Sequence, residues 1–166
     1  MARKDPRIRL LLDVLDEAFT AKGWQGTTLS GAVRGLTPRQ ALWRPSGDGS
    51  RHNVWELVLH TAFWKHAVRE RVQGRGRTPF PRSPRNFPSV PARADAAAWK
   101  ADVALLKRQH ELLRRTVAGL PAARLEARLG ASRWKVAEQI FGVAAHDLYH
   151  TGQIQLLKAL QGRKRR

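Results

Sequence analysis

The chain contains no cysteine. Disulfides, thiolate metal ligands and a cysteine nucleophile are thereby excluded, and a reducing compartment is the natural setting. Acidic side chains are scarce. Only 13 Asp and Glu face 31 Lys and Arg in 166 residues, for a formal charge of +18. Long apolar runs are also missing: nothing approaches the roughly 18 uninterrupted apolar residues of a membrane span. The charged N-terminus leads into an apolar run broken by Asp13 and Asp16, which is an amphipathic helix and not a signal h-region. No internal repeat is visible. A cytoplasmic protein with no membrane contact is expected.

The residues that are present can build a core. Apolar residues make up 42% of the chain and include six Trp, which separates it from a disordered polycation. One domain is expected over residues 1–161, burying about 70% of its unfolded surface. Residues 162–166 read as a basic tail.

Four segments carry helical periodicity. The first runs from Pro6 to about Ala21, with Ile8, Leu11, Leu12, Leu15, Ala18 and Phe19 on one face and Gly23 and Gly26 ending it. The second spans about Asn53 to Gln73. Asn53 and Glu56 have the spacing of a capping box. The third covers about Ala94 to Gly119, followed by Pro121 and a short helical piece through Leu129. The fourth starts from Ser132 as its cap and continues to Gln161. Between the first two lies a connector in which Thr37 and Pro38 read as a cap and first helical position. Residues 74–93 hold five Pro and five Arg; that density forbids a helix and favours extended chain. With no strand pattern, these segments predict an all-α four-helix bundle with long crossover connections.

Histidines carry the chemistry. His146 and His150 are four apart, so they share one helix face with Cβ atoms about 5–6 Å apart. Two such imidazoles can bind one metal at about 2.0–2.1 Å. His60 lies on the apolar face of the second helix, at a similar depth. Spacing alone leaves two readings open: one shared metal, or a hydrogen-bonded core His60 beside a half-exposed pair.

The same residues carry a resemblance. Leu36-Thr37-Pro38 with Trp43-Arg44-Pro45, then Asn53-Val54-Trp55-Glu56-Leu57-Val58-Leu59-His60, then His146-Asp147-Leu148-Tyr149-His150-Thr151-Gly152-Gln153-Ile154 resemble the DinB-like (damage-inducible, YfiT-type) superfamily of metal-dependent enzymes, nearly end to end. The resemblance implies a four-helix bundle with long crossovers. It implies one divalent metal on His60, His146 and His150, without choosing among zinc, nickel, iron and manganese. It also implies transfer or hydrolysis on a small-molecule substrate, the transferases using a low-molecular-weight thiol, and it admits a homodimer through bundle helices. No catalytic residue follows from it.

Other residues have two readings each. Glu56 is a helix cap, with a base or extra ligand as the alternative. His110 is a structural core imidazole, with a fourth ligand or substrate contact as the alternative. Gln153, three residues after His150, either orients that imidazole or joins a helix contact. Trp64 and Tyr149 pack near the presumed site and are candidates for a pocket wall. His66 is expected on a solvated face, and Asp147 is expected to point away from the histidine pair. The arginines of the Pro-rich segment read as a solvated loop or as an anion grip. A rival from another class is a basic nucleic-acid-binding protein, against which stand the absence of any recognised motif and the dispersal of the cations. A third reading is a metal-binding interaction module without catalysis.

Overall fold

The computed structural model describes residues 5–20, 23–45, 51–74 and 78–163. Six α-helices account for most of these: α1 (Pro6–Phe19), α2 (Leu29–Val33), α3 (Pro38–Leu42), α4 (Val54–Gln73), α5 (Ala96–Ala118) and α6 (Val136–Arg163), with a 3-10 turn at Ala122–Glu126. Among the described residues there is no strand; Gly23–Gly26 and Arg128–Lys135 form isolated bridges. The all-α expectation holds. No helix among the described residues is long and apolar enough to cross a membrane.

Local chemistry sets the helix ends. Asp5 accepts the Arg7 N–H at 2.8 Å and Pro6 opens α1, where a missing N–H costs nothing. Asn53 Oδ1 accepts the Glu56 N–H at 2.9 Å while Glu56 Oε2 accepts the Asn53 N–H at 3.0 Å, closing the expected capping box. Gly74, at φ 64°, ends α4 in the left-handed conformation that glycine adopts without strain.

Several expected boundaries move. α1 stops at Phe19 because Thr20 turns extended. The connector holds two short helices where one was expected. Thr28 caps α2, and a five-residue helix is too short to show a period. Ser132 does not cap α6: its hydroxyl meets the Trp134 N–H at 3.2 Å, and Glu138 Oε2 takes the Lys135 N–H at 2.7 Å. α6 therefore starts at Val136. It runs on to Arg163, so the first residues of the expected tail are helical, while 164–166 lie outside the described residues.

The four long helices pack in a ring, α4 on α5, α5 on α1, α1 on α6 and α6 on α4. Residues 78–93 join the neighbouring helices α4 and α5 without forming a helix and press Phe80, Phe87 and Val90 onto the core. The core itself is in two parts. One joins Val54–Ala62 of α4, Trp99 and Leu106 of α5 and Ile154 and Leu157 of α6. The other joins α1, Val68 and Val72, Leu113 and Val117, and Val136–Ala144. On each of α4, α5 and α6 buried polar residues lie between the two parts: Lys65 and His66, Gln109 and His110, Asp147 and Thr151. A polar layer thus divides the bundle at mid-height, and the candidate site belongs to it.

Candidate metal centre

His60 comes from the middle of α4, His146 and His150 from the middle of α6. The His60 and His150 side chains are buried, and His146 is half-buried. Their Nε2 atoms converge: His146 Nε2 lies 3.0 Å from His60 Nε2 and 3.0 Å from His150 Nε2. That separation is the edge between two nitrogens each about 2.1 Å from one ion at a right angle.

The outer nitrogens decide which tautomers are present. His60 Nδ1 donates to the Asn86 carbonyl at 2.8 Å. His150 Nδ1 donates to Gln153 Oε1 at 2.7 Å. Both rings therefore present a bare lone pair at Nε2. Burial pushes the His60 imidazole down to about 4, and the Asn86 bond only partly offsets it. Burial, then the neighbouring His150 and His60, push His146 down to about 3. Burial lowers His150 as well. All three are neutral at pH 7. His146 then carries one proton, which can fill at most one of the two short Nε2–Nε2 contacts. At least one contact sets lone pair against lone pair. His146 Nδ1 is itself buried without a hydrogen-bond partner. A cation shared by three imidazoles removes this conflict, so the donor set fits a divalent metal.

Asn86 was not legible as part of the site. It sits in the Pro-rich segment at φ 72°, a left-handed backbone that Asn tolerates better than most residues. There it holds both neighbours, its carbonyl on His60 and its Oδ1 on the Trp64 indole N–H at 2.9 Å. Next to it Phe87 is sandwiched, stacking on His60 at 4.0 Å and on His52 at 3.9 Å. An Asn-Phe pair within a Pro-rich run is the only sequence signal of this.

The other candidates separate. Gln153 orients His150 and also donates to Tyr149 Oη at 3.2 Å. Tyr149 lies beside the His150 ring at 5.0 Å, and Trp64 sets its edge near His60 and His146. Glu56 is a cap and not a ligand. Burial raises its carboxyl, but the Arg44 guanidinium at 2.6 Å and the Asn53 N–H override this and hold it low. His110 does not join the three: it stacks flat on Phe19 at 3.9 Å, 3.6 Å from Asp16 Oδ1, and burial pushes it down to about 3. His66 corrects an expectation. It is buried, and its Nε2 donates to the Thr78 carbonyl at 2.8 Å, because the Pro-rich segment covers the α4 face expected to be solvated. Asp147 turns from the histidines as expected, into a fully buried ion pair with Lys65. Arg82, of the Pro-rich segment, pairs with Asp102 at 3.0 Å; Arg75 and Arg77 lie outside the described residues. Among the described residues, His60, His146 and His150 are the only group of three able to share an ion.

A family model described as the DinB superfamily matches residues 23–154. The chain belongs to that superfamily. The match contains the connector, α4, α5 and all three converging histidines. No curated protein matches the chain, and no solved structure does. Within this DinB-superfamily chain the three-histidine cluster opens onto a cleft between α1, α4 and α6, which His60 and His146 line.

Proposed function

We propose that this protein holds one divalent metal ion through Nε2 of His60, His146 and His150, and works as a metal-dependent enzyme on a small molecule. The carrying observation is the count of protons: three neutral imidazoles aim Nε2 at one another with too few protons to bond both 3.0 Å contacts. When bound, the metal would act as a Lewis acid, lowering the pKa of water or a low-molecular-weight thiol so that it attacks as hydroxide or thiolate.

The chain's own residues supply positioning. Asn86 and Gln153 fix the two outer imidazoles, as ligand-orienting partners do. The Tyr149 hydroxyl accepts from Gln153 and keeps its own proton to donate. Three protein ligands leave coordination positions open, which is the pattern of a catalytic site and not of a closed structural one. Transfer to a thiol and hydrolysis differ only in the nucleophile that occupies the open position.

Metal analysis of the purified chain tests the reading. About one divalent ion per chain is expected, lost in His150→Ala. Stoichiometric metal surviving in His60→Ala/His150→Ala would sink it.

A further inference from the structure

The cleft beside the three histidines measures about 1000 Å3. On its α4 wall His60, Trp64, Val68 and Arg71 follow one another along one helix face. At 1.5 Å per residue the Arg71 backbone stands about 16 Å along the axis from His60. Its guanidinium folds back over the Trp64 ring, whose centre lies 6.4 Å from that of His60. On the α6 wall the lining runs from His146 back through Val143 and Gly142 towards Trp134. The walls are largely apolar. The lining has two charged residues, Arg71 and Glu138, and Glu138 is engaged at the start of α6 through the Lys135 N–H.

Arg71 is different. It is exposed, its guanidinium lies 5.7 Å from the Trp64 ring centre, and among the described residues no carboxylate pairs with it. Arg44, Arg69, Arg82 and Arg114 all have such partners. A second guanidinium with no carboxylate partner among the described residues, that of Arg133, lies 4.4 Å from the ring centre of Trp134. Two indoles lining one cleft thus each carry an arginine. Gly142 of α6 also lines the cleft. A Cβ there would meet open space, so a large side chain at this position has room to enter the cleft.

The geometry points to an elongated apolar acid as the ligand of this cleft. Its anionic group pairs with Arg71, its apolar body lies over Trp64, Val68 and Gly142, and its far end reaches the three imidazoles. What happens at that far end rests on the metal-site reading above; binding through Arg71 does not.

Titration calorimetry with decanoate, decanol and decyltrimethylammonium on the full chain as purified tests this, with metal content measured on each sample. Decanoate is expected to bind at least tenfold more tightly than decanol or the cation. Arg71→Gln removes that preference, and Gly142→Phe abolishes binding with the thermal midpoint kept. Arg85→Gln, whose guanidinium lies over Phe63 outside this cleft, leaves it unchanged. Decanol binding as tightly as decanoate, or an equal loss in Arg85→Gln, would overturn the proposal. Loss in His150→Ala with none in Arg71→Gln would also overturn it, since the carboxylate would then be on the metal. Arg71-dependent binding in a chain free of metal would leave the cleft standing and remove the metal reading.

Discussion

At the scale of single residues, the outer nitrogens of the imidazoles matter most. Gln153→Leu leaves His150 free to rotate, and metal affinity should fall about 10–100-fold, read by competition with a chromophoric chelator. Protonation gives a second expectation. Folded His60 titrates at about 4, His110 and His146 at about 3, against 6.5 for an ordinary imidazole. Between those limits the three unfolded imidazoles bind more protons than the folded ones, so they make stability rise with pH. They outweigh the opposite effect of the single Asp147 carboxyl, which burial raises to about 6. Urea unfolding of the metal-free protein should show stability falling as pH drops from about 6.5 to 4. A flat profile would contradict neutral, buried imidazoles. Of these residues His146, His150 and Gln153 were legible because i,i+4 and i,i+3 spacing is local, whereas His60 was legible only as a histidine on an apolar helix face and through the family motif. Asn86 was not, because its role depends on a carbonyl, which every residue has.

Among elements, the segment of residues 78–93 does work that its composition hides. Proline prevents a helix, so its backbone groups are free to serve neighbours. The Ser89 N–H bonds back to the Ser83 carbonyl at 3.0 Å, and the Asn86 carbonyl takes up His60. Asn86→Gly keeps that carbonyl and the left-handed backbone, losing only the Trp64 bond, so metal affinity should stay close to wild type. Asn86→Ala strains the backbone by about 1–2 kcal/mol and should lower both stability and metal affinity. Equal metal titrations for the two variants would show that the segment does not position His60. The helices were the legible elements. The α4 capping box and the apolar face of α1 follow from residues a few positions apart. Covering of His66 was illegible, since it depends on where the Pro-rich segment returns.

For the whole molecule, the polar layer between two apolar halves is the organising feature. Lys65 and Asp147 are both wholly buried, and such a pair gains little over apolar residues but is costly to break. Lys65→Met, which strands Asp147, should cost about 3–5 kcal/mol in urea unfolding, while Lys65→Met/Asp147→Leu should recover most of it. If the double variant were no more stable than the single one, the pair would not be the source of the loss. Sequence by itself determined the four long helices, the α4 capping box and the apolar faces that carry the histidines, because a period of 3.6 residues is written in near neighbours. Only the tertiary structure decided which side chains meet. His60 and His146 are 86 positions apart, Lys65 and Asp147 82. No local pattern links residues at that separation; their meeting depends on how four amphipathic faces close on one another.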